Sequence, residues 1–205
     1  MTDDIDQDIN TRHNEKMAKK KAAREKILAT KTIEKGLIMV HTGKGKGKST
    51  AAMGLAMRAI GNGMKVGIVQ FVKGVWATGE RDVLDTFPDL VTIKAMGEGF
   101  TWETQDRERD IAAAQKAWQV SLEMMQSGDY DLVMLDELNI VLRHEYLDAA
   151  EVVTGLQSRS KRTHVIVTGR DAPEILMDAA DLVTEMKEIK HYFSKGVKAR
   201  TGIEM

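Results

Sequence analysis

The sequence predicts an α/β fold, a mainly parallel sheet with helices on both faces. Three observations carry that expectation. Short continuous apolar runs recur along the chain, helix-like stretches separate them, and only Pro88 and Pro173 could interrupt the alternation. A strand that is apolar on both faces offers no side to water, so it belongs in a sheet covered twice, and parallel neighbours need crossover connections of the kind these helices supply.

The elements follow in order. Residues 1–35 form a charged N-terminal arm: Asp3, Asp4, Asp6 and Asp8 come first, and then Arg12 through Lys35 carries nine basic residues against Glu15, Glu25 and Glu34. Such composition lacks the apolar surface that offsets the entropy of ordering, yet Met17 to Leu28 is compatible with a helix, so a mobile tail and a docked helix both fit. Residues 36–205 form the α/β domain. Leu37 to Val40 is the first expected strand, and Ser49 to Ile60 reads as a buried helix closed by Gly61-Asn62-Gly63. Val66 to Phe71 and Val91 to Ile93 are the next strands, followed by a long helix over Glu103 to Gln126 with apolar positions at Ala113, Ala117, Val120 and Met124. Leu132 to Leu135, His164 to Thr168 and Leu182 to Met186 complete the strands, with helices at Asp148 to Gln157 and Pro173 to Ala179. There is no internal repeat.

Composition removes whole classes of chemistry. With 205 residues the chain has room for one ordinary domain plus tails, and 42% hydrophobic against 30% charged residues describes a globular protein. The 30 Lys+Arg nearly cancel the 31 Asp+Glu, so no net field draws the chain to nucleic acid or anionic membrane. There is no cysteine, which excludes disulfides, thiolate metal sites and a catalytic thiol. No run of about 18 apolar residues is present and the N-terminus is acidic, so the expected compartment is the cytoplasm. The five histidines lack metal-ligand spacing, and the thirteen methionines read as core filler.

The stretch HTGKGKGKSTAAMGLAMRAIG carries the most chemistry. A buried strand runs into a glycine-rich loop, and Lys48-Ser49-Thr50 opens a helix. This aims backbone N–H groups and the positive end of a helix dipole at one place, where a polyphosphate binds. Thr42, Gly43, Lys44, Gly45, Lys46, Gly47, Lys48, Ser49 and Thr50 are therefore expected to hold the nucleotide, Lys48 as a point charge and Ser49 as a ligand of a phosphate-bound magnesium (or manganese) ion. The usual G-x-x-x-x-G-K-[ST] spacing would have glycine at position 42, which is Thr42, so the loop path is expected to differ from that of ordinary hydrolases. Leu132 to Leu135 runs into the carboxylate pair Asp136-Glu137, where the second acidic motif of such folds delivers a magnesium ligand; the choice of Glu137 as that ligand, with Ser49, comes only with the family resemblance given next. The fold class narrows accordingly to a phosphate-loop NTPase-like, RecA-type domain.

Six segments then match a known family in order and spacing. TGKGKGKSTAAMGLAMRAIGNG, VGIVQFVKGVWATGERDVL, GFTWETQDRERD, LDELN, VIVTGR and KHYFSKGVKARTGIE resemble the phosphate-loop ATP:corrinoid adenosyltransferases from about Gly36 to the C-terminus. The resemblance implies transfer of adenosine from ATP onto the cobalt(I) of a corrinoid (cobalamin, cobinamide or cobyrinic acid a,c-diamide), with release of triphosphate. It implies a reduced flavoprotein as electron donor, a homodimer, and neither nucleic acid nor membrane as partner. It also assigns Phe100 and Trp102 to the corrinoid face, where they displace the lower axial ligand; taken alone, both aromatics would read as core or a hydrophobic staple. Lys48, Phe100, Trp102 and Glu137 are the residues expected to carry the reaction. A nucleoside-triphosphate hydrolase or kinase of the same fold is the rival reading, and a nucleotide-sensing or RNA-binding module using Lys16 to Lys26 is a third. Arg58, the lone charge of its helix, is expected in an ion pair or at a ligand; Trp76, Glu80 and Arg81 match a family loop without an assigned role. Arg170 is placed for an anion or, equally, for a salt bridge.

Overall fold

The computed structural model describes residues 2–72, 79–96 and 106–203, with side chains described from Asn10 onward. The chain divides into two compact units, Met1–Glu34 and Lys35–Met205.

The first unit is one helix, α1 (Thr2–Ala29). Its described side chains are exposed and it carries no apolar stripe. Its helicity rests on good local formers (Ala, Lys, Glu, Arg), with Lys21 and Glu25 one turn apart at 4.0 Å as local support.

The second unit holds six strands, all parallel: β1 (Ile38–Thr42), β2 (Val66–Gln70), β3 (Val91–Ala95), β4 (Leu132–Asp136), β5 (His164–Thr168) and β6 (Leu182–Glu185), in the order β3-β2-β4-β5-β1-β6. Between them run α2 (Lys48–Ile60), α3 (Gly79–Leu84), α4 (Arg107–Ser127), α5 (Leu138–Arg143), α6 (Ala149–Gln157) and α7 (Glu174–Ala179). All six predicted strands are present, within two residues at their ends. The short α3 and α5 were not predicted; each has six residues, too few for a periodic pattern to register.

The double covering follows from the pleat. Successive side chains of a strand point to opposite faces, so Val133 and Leu135 of β4 enter one core layer with Met125, Leu138, Leu156 and Leu176, while Leu132 and Met134 enter the other with Ala52, Ala56, Ile60 and Leu84. Both layers are dry: Ile68, Leu135, Leu156 and Ile166 are wholly inaccessible, each contributing about 1.5–3 kcal/mol by burial.

Three sequence expectations change here. Helix α2 is buried along one face only: Ala52, Ala56, Ala59 and Ile60 meet the sheet, and small residues at that spacing bring its backbone close, while Met57 and Arg58 are exposed. Arg58 is thus no buried ion-pair partner. In α4 the buried positions are Ala114, Ala117, Ser121, Met124 and Met125, and the expected Ala113 and Val120 are only half-buried. Ser121 tolerates burial because its hydroxyl donates to the Ala117 carbonyl at 2.7 Å. Finally, β6 is an edge strand, and Leu182 and Val183 stay largely exposed although their run reads as buried.

Candidate functional site

Because every strand is parallel, all six end on the same side of the sheet. The register His41 to Thr168 and Leu135 to Val167 brings the ends of β1, β5 and β4 together there. Ligands of open α/β sheets bind outside such carboxyl ends.

The loop after β1 is shaped by left-handed backbone. Gly43 has φ 95° and packs so closely that a Cβ there would lie 2.5 Å from the Met186 carbonyl oxygen, so no other residue fits. The loop is tied to the chain after β6: Gly45 N–H donates to the Met186 carbonyl at 2.7 Å, and Met186 N–H donates to the Thr42 carbonyl at 2.9 Å. Gly47, at φ 102°, is the N-cap of α2. Lys48 follows, mostly buried, and its ammonium donates to the carbonyls of Gly43 at 2.9 Å and Gly45 at 2.6 Å. Burial pushes the Lys48 ammonium below the ordinary lysine pKa; Glu137 opposes that shift, and the Arg170 charge adds to it.

The next residue reaches across the sheet. Ser49 Oγ donates to Asp136 Oδ1 at 2.7 Å, and Thr168 Oγ1, at the end of the intervening β5, donates to the same oxygen at 2.8 Å. Thr168 Oγ1 in turn accepts from Glu137 N–H at 3.0 Å. Asp136 and Thr168 are fully buried, whereas Glu137 has left the strand: it stands at φ 63°, a costly conformation for a side-chain-bearing residue, and serves as the N-cap position of α5. The carboxylate touching the Ser49 hydroxyl is therefore Asp136, while Glu137 lies along the pocket wall near Lys48.

Two pockets flank the loop. One, of about 900 Å³, is bordered by Lys46 to Thr50, the Met53 and Met57 side of α2, Glu80 of α3, Glu137 and Arg170. The other, of about 820 Å³, is bordered by Thr42, Gly43, Lys44, Arg170, Asp171 and Glu185 among others. Of the residues expected at the nucleotide, the structure brings together Thr42 to Thr50 and Glu137. Phe100 and Trp102 lie outside the described residues, as does Trp76. Glu80 borders the first pocket, and Arg81 is paired with Asp85 at 2.8 Å. Arg58 borders neither pocket. Thr168 is legible only as a polar residue ending an apolar strand, and Asn139, fully buried one turn beyond Asp136, stands in the segment LDELN without an assigned role.

No group of three or more His, Asp or Glu among the described residues could cage a metal by itself. The candidate ligands at the loop, Ser49, Asp136 and Glu137, offer oxygen atoms. That set suits a hard cation which keeps waters and takes its remaining ligands from a substrate's phosphates.

The comparisons with known proteins show the family. Residues 34–205 match the model of the family described as ATP:corrinoid adenosyltransferase BtuR/CobO/CobP. The chain belongs to that family. Residues 1–28 match a separate model, the N-terminal segment of cob(I)alamin adenosyltransferases, which covers α1. The chain is 56% identical over 197 residues to a corrinoid adenosyltransferase of Sinorhizobium sp., covering 95% of this chain and 92% of that one. It is 50% identical to a corrinoid adenosyltransferase of Pseudomonas aeruginosa (94% and 95% covered) and 44% identical to corrinoid adenosyltransferase CobA of Salmonella typhimurium (94% and 97%). Among solved structures, flagellar accessory protein FlaH from Methanocaldococcus jannaschii overlaps 76% of this chain and 73% of its own, with a TM-score of 0.48 and 10% identity. The chain is thus a transferase of the corrinoid adenosyltransferase family, whose substrates are ATP and a corrinoid. No described helix of this transferase is long and apolar enough to cross a membrane.

Proposed function

We propose that the chain transfers the 5′-deoxyadenosyl group of ATP to the cobalt(I) of a corrinoid and releases triphosphate, in adenosylcobalamin biosynthesis or salvage. The observation that carries this reading is the Lys48 ammonium, held at the loop mouth by the Gly43 and Gly45 carbonyls beside the Ser49–Asp136 pair, in a chain of this family. A phosphate oxygen would compete with those carbonyls for the same ammonium.

In the reaction the cobalt(I) electron pair forms the bond to C5′, the C5′–oxygen bond breaks, and its pair leaves on the triphosphate. The protein supplies no nucleophile, in keeping with a chain that has no cysteine. Its work is to hold C5′ in line with the metal and to stabilise negative charge on the leaving group. Lys48, Lys46 and the backbone N–H groups from Gly43 to Gly47, other than the Gly45 N–H that Met186 takes, would supply the second. A magnesium (or manganese) ion would neutralise the phosphates further; Ser49 and Glu137 would hold it, with Asp136 orienting the Ser49 hydroxyl. Phe100 and Trp102 are assigned to the corrinoid face. The reading carries with it a reduced flavoprotein as electron donor, a homodimer and a cytoplasmic location, with residues 1–35 as an arm on a domain of residues 36–205.

The test is an anaerobic assay of the purified protein with chemically reduced cobalamin, ATP and magnesium. Cobalt–carbon absorbance should rise together with inorganic triphosphate. ADP and phosphate without a cobalt–carbon bond would instead mark a hydrolase or kinase.

A further inference from the structure

We propose that Arg170 is a ligand for the triphosphate and that Thr42 is its positioning residue. The Thr42 hydroxyl, at the place where ordinary phosphate loops carry glycine, fixes the turn from which Arg170 reaches both pockets. This rests on the proposed reaction for the identity of the anion.

The turn after β5 is held at three points. Asn139 Nδ2, on a fully buried side chain, donates to the Gly169 carbonyl at 3.0 Å. Arg143 pairs with Asp171 at 3.2 Å. Ala172 N–H donates to Thr42 Oγ1 at 3.0 Å, and Thr42 is itself buried. Between these clamps the backbone is left-handed on either side of Arg170, at Gly169 (φ 130°) and Asp171 (φ 55°). A Cβ at Gly169 would lie 2.8 Å from the Asn139 Cβ, so the turn can follow this path only with glycine there. The Asp171 conformation is costly, and such a conformation persists where the surroundings over-determine it.

All of this fixes the backbone and none of it engages the Arg170 head. Its side chain is exposed, borders both pockets, and makes no hydrogen bond or ion pair among the described residues. The neighbouring Asp171 carboxylate pairs with Arg143. A rigid base with a charged head open to two adjoining pockets is the arrangement of a ligand arm, and a planar guanidinium matches phosphate oxygens two at a time. The salt-bridge alternative has no described partner. Glycine at position 42 has no side-chain oxygen for Ala172 N–H, which gives the departure from the ordinary loop spacing a physical purpose.

The test measures binding of inorganic triphosphate, with magnesium, and of adenosine to the full chain by calorimetry. Arg170→Ala should weaken triphosphate at least tenfold and leave adenosine unchanged, with Arg170→Lys between. Thr42→Val should give a smaller loss in the same direction, Thr42→Gly should behave likewise if the valine variant melts early, and Thr42→Ser should match the parent. Placed on Arg170→Ala, Thr42→Val should add no further loss, which a merely structural role would not produce. Unchanged triphosphate affinity in Arg170→Ala, or an equal Thr42→Val loss in both backgrounds, overturns the proposal. Absence of adenosylation by the parent chain would remove the proposed reaction while leaving this arm standing.

Discussion

The Ser49 hydroxyl donates to Asp136 Oδ1 at 2.7 Å, although the strands that deliver the two residues are not neighbours. Strand β5 lies between them, and its last residue, Thr168, donates to the same oxygen. One buried carboxylate oxygen thus ties the start of α2, just after the glycine-rich loop, to the acidic strand. Replacing Asp136 by Asn keeps the shape and removes the charge that draws both hydroxyls. Hydrogen bonds to a charged group are worth about 1.5–3 kcal/mol each, so Asp136→Asn should weaken magnesium–ATP binding by roughly 10- to 100-fold. Calorimetry with and without magnesium checks this; equal loss in both conditions would argue against a metal-linked role.

Thr168→Val isolates the bridge. Valine has nearly the volume of threonine and suits a strand, so the change removes the hydroxyl bonds to Asp136 and to Glu137 N–H with little repacking. Leaving that N–H unsatisfied, and the carboxylate with one donor fewer, should cost about 1–3 kcal/mol. Thermal denaturation should show the loss, and the magnesium concentration giving half-maximal turnover should rise.

Lys48→Ala removes a buried cation whose donors meet two loop carbonyls. Binding of ATP and of triphosphate should fall about 100-fold or more, in line with loss of a charge-assisted contact and an electrostatic stabiliser. Adenosine binding should be unaffected. The change also takes a donor from the carbonyl of buried Gly45, so the melting temperature should fall modestly, and circular dichroism during heating tests that.

Acid sensitivity should centre on Asp181. Burial pushes its carboxyl pKa up, but the Lys35 ammonium, the Ile38 N–H at 3.0 Å and the Arg159 charge outweigh that and hold it below the ordinary value of 3.8. A lowered carboxyl pKa means that the unfolded chain binds the proton more tightly. The stabilisation is therefore complete above the unfolded value and lost as pH falls through the folded one. Asp181→Asn should cost about 1 kcal/mol at pH 7, discounted for partial exposure, and the gap to the parent should close below pH 3.8. Melting temperatures between pH 7 and 3 would show it, and a gap that widens toward acid would contradict the assignment.

Much of the fold was legible because it is local. A run such as Leu132 to Leu135, set between helix-like stretches, reads as a strand from its own residues, and Thr42 to Thr50 announces its loop through glycine spacing and a lysine at a helix start. Where the signal failed, the cause was also specific. Burial on one face of α2 depends on what lies opposite it, and the exposure of Leu182 and Val183 follows from β6 having no outer neighbour. Apolar composition cannot distinguish a central strand from an edge strand.

The candidate site divides along the same line. The sequence by itself determined that a glycine-rich loop before a helix, an acidic strand end and a corrinoid adenosyltransferase pattern share one chain. Only the tertiary structure decided that Asp136, and not its neighbour Glu137, meets Ser49, and that Thr42 faces Ala172. Those contacts join residues 87 and 130 positions apart, and they exist because β5 pairs with β1 on one side and β4 on the other. Strand order is set by the packing of whole layers, whereas the pattern along the chain records only which faces of each segment avoid water.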